Sequence, residues 1–395
     1  MRGYLRKDGR KGIRNVVVVV YLVECARFVA QEIVNNFRGQ EVHLIGFSGC
    51  YPNHYADKIM NQLVVHPNVG AVLLVSLGCE SFNRNKLIAT AQNSDRPVNL
   101  VGIQKEGGTR KSIDLGVKWV AETLPVIRAI EKVEMGIDEL IIGTICGGSD
   151  ATSGITANPA VGRSFDKLVE LGATVIFEET GEMIGLEQHL KSRTKSAELA
   201  EELENSIKKA AIYYSKMGHG SFAPGNADGG LSTLEEKSLG AYTKSGTSEI
   251  KGIIDPGEVP AGKGLYLLDV VPEGDPLFGF PNISDNAEIG ELMACGCHII
   301  LFTTGRGSVV GSAILPIIKV CANPETYERM KDDMDINAGK IMNGEANLEE
   351  VGQEIVDKIE SVASGNPSCS EALGHQEFIL TYKQMKIAEP HCLTH

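Results

Sequence analysis

The sequence contains no apolar run long enough to span a bilayer, and its first residues, MRGYLRKDGRKG, have no apolar core behind their charges. Both absences argue against a membrane helix and a secretory leader, so a cytoplasmic protein is expected. Positive charge is scarce. Lys and Arg number 38 against 51 Asp and Glu, and the formal net charge of −13 gives no general affinity for a phosphate backbone, so nucleic acid is not an expected partner. No C-x-x-C pair occurs among the nine cysteines, which disfavours a zinc ribbon or a thioredoxin-type site. The odd count also speaks against a disulfide framework of the kind that staples small secreted domains; reduced thiols used for metal or chemistry fit better. A full dinucleotide fingerprint is missing too, since Gly305-Arg306-Gly307 stands alone and Pro316 breaks the helix expected after it.

With 395 residues, 43% of them hydrophobic and 23% charged, the chain exceeds one ordinary core. An α/β fold in two parts is expected: residues 1–134 as an N-terminal α/β domain with cysteine-bearing loops, and residues 135–395 as a Rossmann-like, mostly parallel sheet flanked by helices. The boundary is drawn at the charged segment Ile127–Asp138.

The stretch Leu140–Asn158, LIIGTICGGSDATSGITAN, carries the pattern that organises this reading. Its apolar run stops at Cys146 and then at glycines and small polar residues, as a buried parallel strand does where it empties into a site-forming loop. In open α/β sheets ligands bind at those carboxyl ends. The runs VVVVVYLVEC, VHLIGFSGC and VLLVSLGC end likewise, at Cys25, Cys50 and Cys79. A common cysteine-lined pocket is the expectation, with thiolates that favour iron, an iron–sulfur cluster, zinc or copper(I). Each cysteine taken singly is also an ordinary small core residue.

Further strands are expected at Val98–Ile103, Thr174–Phe177, Leu265–Val271 and His298–Thr304, and amphipathic helices at Lys191–Met217, Asp285–Met293 and Leu348–Ser364. Gly107-Gly108-Thr109-Arg110-Lys111 opens a helix and makes a weak anion seat, because N–H groups and the helix dipole point at it. The segment 218–248, rich in small polar residues, reads as a long site-forming loop. Around the cysteines lie the carboxylates Glu80, Asp150, Glu178 and Glu179 and the cations Arg110, Lys237 and Arg306. That mixture suits a small anionic substrate and removal of a proton beside its carboxylate, with a Lewis acid or clamp for the enolate-like charge. Lys237 or Asp150 is the expected base, with Glu80 as a further catalytic carboxylate. An amine serves as a base near neutral pH only if its surroundings lower its pKa. Arg14, Asn15, Arg110, Lys111, Ser149, Asn158 and Arg306 are the expected substrate contacts. A mononuclear site would instead draw on His54 and Glu80.

The motifs GYLRKDGRKGIRN, HPNVGAVLLVSLGCES, CGGSDATSGITANPAVG, PGNADGGLSTLEEKSLGAYTKSGT and YERMKDDMDINAGKIMNGEA together resemble the large, catalytic part of the altronate/galactarate dehydratase family, over nearly the whole chain. The resemblance implies two α/β parts and iron-dependent elimination from a hydroxy acid, with iron as Fe2+ or in a cluster on Cys25, Cys50, Cys79 and Cys146. The family's small β-clip domain, often fused at the N-terminus, is not seen before GYLRKDGR, which implies a separate small subunit; a homodimer of the large subunit within a hetero-oligomer is also expected. The segment LYLLDVVPEGDPLFGFPNISDNAEIGELMACG is unlike the sugar-acid branch and is more similar to a branch that cleaves sulfite from (2R)-3-sulfolactate. Three functions are carried forward: such a carbon–sulfur lyase, a sugar-acid dehydratase, and a non-catalytic binding subunit.

Overall fold

In this computed structural model, residues 1–218, 224–276 and 283–383 are described. Part of the 218–248 segment, part of the LYLLDVV…MACG segment and the last residues of the tail therefore lie outside the described residues.

The chain begins with β1 (Arg2–Leu5) and β2 (Lys11–Gly12), then β3 (Val16–Tyr21), β4 (Val42–Gly46), β5 (Val69–Ser76) and β6 (Val98–Gly102); β7 (Val133–Glu134) returns to pair with β1. Strands β3 to β6 form a parallel sheet in the order β4-β3-β5-β6. The run of valines in β3 serves both faces. Val17 and Val19 pack under the helices Glu24–Asn35 and Thr109–Arg128, while Val16, Val18 and Val20 face the rest of the protein.

A second sheet is built from β8 (Ile141–Cys146), β9 (Thr174–Phe177), β10 (Ile250–Ile254), β11 (Gly264–Leu268), β12 (Ile299–Thr304), β13 (Ile317–Cys321) and β14 (Ile336–Asn337). All seven are parallel, in the order β10-β11-β9-β8-β12-β13-β14. Helices Ala157–Glu170, Ala197–Met217 and Leu348–Ala363 cover one face. The other face meets the first sheet through one continuous core, in which helix His54–Val64 and helix Asp285–Ala294 lie packed together between the two sheets.

The α/β class and the parallel second sheet are as expected, and Thr174–Phe177 is a strand over the expected residues. Two readings are corrected. The segment after Pro316 is strand β13, because Ile317, Ile318 and Val320 are buried on both faces of the sheet. The 218–248 segment is not one long loop: it contains the helices Pro224–Asp228 and Leu234–Thr243, the second capped by the Thr233 side chain. Its helical pattern is weak because it buries Ser238, Gly240 and Ala241, small residues that carry no hydrophobic stripe.

Small residues are needed there. A Cβ on Gly162, inside the Ala157–Glu170 helix, would lie 2.0 Å from the Thr243 carbonyl oxygen. Gly154 and Gly240 likewise meet backbone to backbone, a Cβ on Gly154 falling 3.0 Å from the Gly240 Cα. Gly→Ala in an ordinary helix interior gains up to about 1 kcal/mol. Here the clash outweighs that gain, and Gly162→Ala should lower stability by about 1–3 kcal/mol in urea unfolding. An increase in stability would show that the two helices do not make this close approach.

Candidate active site

Neighbouring strands β8 and β9 deliver their C-terminal ends side by side, Thr144 opposite Phe177. Strand β8 ends on Cys146; after β9 come Glu178, Glu179 and a single tight turn, Thr180–Glu182, that brings Glu182 back beneath Glu179. Sheet order reverses at β8, whose other neighbour β12 leads into Gly305 and Arg306, and both backbone N–H groups of that pair donate to the Gly148 carbonyl. This is the crevice in which open α/β sheets bind ligands.

The Cys146 thiol donates toward the Oε2 atoms of Glu179, at 3.5 Å, and Glu182, at 3.2 Å. The opposite oxygens are taken by lysines: Lys237 pairs with Glu182 Oε1 at 2.6 Å, and Lys244 pairs with Glu179 Oε1. The deeper pair has side-chain exposures of 0% and 1%, so neither ion meets water. Among the described residues, Cys146, Glu179 and Glu182 are the one group of three whose sulfur and carboxylate ligand atoms all lie within 4.8 Å of one another.

Burial, reinforced by both carboxylates, pushes the Cys146 thiol well above its ordinary pKa, so it holds its proton. Burial and then the Glu182 charge push Glu179 up, although Lys244 opposes them. Burial alone would raise Glu182 as well, but the Lys237 charge holds it below the ordinary carboxylate range. For Lys237 burial favours the neutral amine, yet Glu182 and Cys146 more than offset it and the pKa is raised. Lys237 is therefore an ammonium at neutral pH. The condition for its acting as a base, a lowered pKa, is not met in this arrangement.

Two cavities meet at this constellation. An inner one of about 290 Å³ is lined by Cys146, Glu178, Glu179, Tyr214, Asp285 and Glu288. An outer one of about 340 Å³ is lined by Ser149, Asp150, Asn158, His189, Leu231 and Tyr242. Glu182 and Lys237 line both, so their ion pair is the wall between the chambers. Inside the inner cavity burial, with the Glu288 and Glu179 charges, raises Glu178, and burial pushes Glu288 up to about 8 despite Lys383.

Of the residues expected from sequence, Cys146, Ser149, Asp150, Asn158 and Lys237 are brought together at these two chambers, and Arg306 lies beside them, donating to the Gly225 carbonyl at 2.7 Å. The structure gives others different work. Asp150 has its oxygens occupied by Thr152, Ser153 and Asn323, which shape the loop rather than leave a free base. Arg14 is tied to Glu371 and to the Val362 and Asn366 carbonyls, and Asn15 links Arg6 to the Ile127 carbonyl; both fasten the N-terminal arm. Glu80 closes its own turn through Ser76 and the Gly78 N–H. Arg110 and Lys111 are exposed at the start of the Thr109–Arg128 helix.

Cys25, in the first turn of helix Glu24–Asn35, and Cys50 and Cys79, on loops joined by the Ser81 N–H donating to the Cys50 carbonyl, are exposed at the end of the four-stranded sheet. Cys146 belongs to the other sheet. Among the described residues, the place where ligand atoms converge holds one of the four expected cysteines, Cys146, together with two glutamates. Sequence reading missed Glu182 and Lys244. The signal was their spacing, Glu182 three residues after Glu179 and Lys244 seven after Lys237.

The relatives that this sequence matches are lyases and dehydratases. The chain matches the description "D-galactarate dehydratase/Altronate hydrolase, second domain" over residues 3–128 and "D-galactarate/Altronate dehydratase, C-terminal" over residues 137–386. It belongs to the galactarate/altronate dehydratase family. Among its relatives, (2R)-sulfolactate sulfo-lyase subunit beta of Chromohalobacter salexigens is 32% identical, with 96% of each chain covered. Altronate dehydratase of Bacillus subtilis is 33% identical over 92% of this chain and 74% of its own length, and galactarate dehydratase of Escherichia coli is 33% identical over 78% and 59%.

The burial difference between the two ion pairs gives a test. Glu179→Gln leaves the Lys244 ammonium buried and unpaired, which costs about 3–5 kcal/mol. Glu182 is 18% exposed and its lysine 10%, so Glu182→Gln should cost less. Equal losses in urea unfolding of the two variants would contradict this ordering.

Proposed function

We propose that the chain is the catalytic subunit of a two-subunit lyase that eliminates sulfite from (2R)-3-sulfolactate to give pyruvate, with iron held by Cys146, Glu179 and Glu182. The observation that carries the reading is the aim of one sulfur and two carboxylate oxygens at a common point, beside a lysine ammonium. Loss of the Cys146 proton leaves a soft and two hard donors there, a set suited to a divalent transition metal. Iron bound there would supply a Lewis acid for the substrate's carboxylate and 2-hydroxyl, lowering the cost of the charge that develops as C2 loses its proton.

The chain's own groups do the rest. The C2 proton passes to a buried carboxylate, for which Glu288 and Glu178 are placed in the inner cavity and have proton affinities raised toward the working range. The electron pair of that C–H bond forms the C2–C3 double bond as the C3–S bond breaks, and sulfite leaves with the sulfur pair. Protonation of the resulting enol at C3, with loss of its hydroxyl proton, gives pyruvate. Lys237 holds its positive charge at the chamber wall, where it faces a sulfonate and then the departing sulfite. The partner is supported by the name of the relative that matches over 96% of its length, a subunit beta. A small β-clip subunit and a homodimer of this chain complete the proposed enzyme.

One observation favours a second reading, dehydration of a sugar acid such as altronate or galactarate. The outer chamber adds about 340 Å³ across the Lys237–Glu182 wall, room for a longer hydroxylated chain. The chain with its small partner, reduced and supplied with Fe2+, should release sulfite and pyruvate from sulfolactate in equal amounts. Dehydration of a hexonate or hexarate without sulfite release from sulfolactate would move the substrate to the dehydratase branch.

A further inference from the structure

The two lysines are arranged more regularly than charge neutralisation requires. Lys237 lies in the Leu234–Thr243 helix, and Lys244 continues the same helical backbone one residue beyond it, with φ −61° and ψ −28°. Seven residues are nearly two turns, so the two ammonium groups leave one face of one helix, with Cα atoms about 10 Å apart along the axis. Glu179 and Glu182 sit on the facing turn, joined by the Glu182 N–H donating to the Glu179 carbonyl at 2.8 Å. Each lysine takes Oε1 of one glutamate, and each glutamate turns Oε2 to the Cys146 sulfur. The helix that carries them is held by backbone contact, Gly240 against Gly154 and the Thr243 carbonyl against Gly162.

We infer that Lys237 and Lys244 are positioning residues of the Cys146–Glu179–Glu182 metal seat: by holding the outer oxygen of each carboxylate they fix it as a ligand through the inner one. The inference rests on the proposed metal site and adds to it the groups that orient its ligands, as outer-shell partners do in other metal centres. Were the lysines only counter-charges, a divalent cation would compete with them, and removing either would tighten metal binding. As braces, their removal loosens it.

The test is anaerobic titration of the full-length chain with Co2+, followed through the sulfur-to-cobalt charge-transfer absorption, which reports the Cys146 ligand without any turnover. Lys237→Met, at the partly open end of the site, should weaken Co2+ binding about 10- to 100-fold while leaving the band in place at saturation. Lys237→Arg, whose guanidinium also donates to a carboxylate oxygen, should recover most of the loss. Lys244→Met should weaken binding in the same range, with circular dichroism confirming the fold; if that buried substitution does not fold, the Lys237 pair of variants decides. Unchanged or tighter binding in Lys237→Met overturns the inference although the metal seat stands. A wild-type chain with no sulfur-to-cobalt band overturns the seat itself and the inference with it.

Discussion

Desolvating an ammonium and a carboxylate costs several kcal/mol per ion, and only a close pairing returns it. Lys244 and Glu179 lie against each other with essentially no exposed side-chain area, so neither can move without stranding the other. Fixing Glu179 in this way fixes the tight turn that carries Glu182, because only two residues separate them and Glu182 donates its N–H to the Glu179 carbonyl. The sulfur of Cys146 then has both inner oxygens in reach. Much of the geometry of the candidate site depends on this one buried pair.

The fold makes such a pair affordable at this place. Parallel strands β8 and β9 are buried on both faces and end in register, which sets Cys146 and Glu178–Glu179 side by side without any choice left to loops. The lysines arrive from a helix whose approach depends on glycines at 154, 162 and 240, each facing backbone atoms where a side chain would intrude. Contact between the sheets supplies the rest of the inner chamber through Asp285 and Glu288, on the helix packed between them. Behind these, Glu291 pairs with the fully buried Lys383 and accepts from the Tyr55 hydroxyl at 2.6 Å, which ties the last described residues and helix His54–Val64 to the same helix.

Much of the architecture was legible because apolar runs of strand length are hard to mistake: β3, β5, β8 and β9 all read directly from their valines and isoleucines. Strand β13 was obscured by Pro316, which precedes it and reads as a helix breaker, and helix Leu234–Thr243 by its buried small residues. In the site, Cys146 and Lys237 were found because each stands in an unusual local setting. Cys25, Cys50 and Cys79 stand in the same kind of setting and were grouped with Cys146 for that reason, but strand ends that look alike in sequence belong here to two different sheets. Lys244 stands in no distinctive local setting, and nothing near it in sequence shows that Glu179 waits for it across the fold. Arg14 and Asn15 were chosen for nearness to a strand, and their hydrogen bonds to residues more than a hundred positions away could not be read from that.

The account turns on one thiol and two carboxylates holding the metal, and X-ray absorption at the iron edge of the iron-loaded chain tests that most directly. A single sulfur scatterer among oxygen neighbours, lost in Cys146→Ser and kept when Cys25, Cys50 and Cys79 are replaced together, is the result the account predicts. Several sulfur scatterers with an iron–iron distance, unaffected by Cys146→Ser, would place a cluster on the other sheet and contradict it.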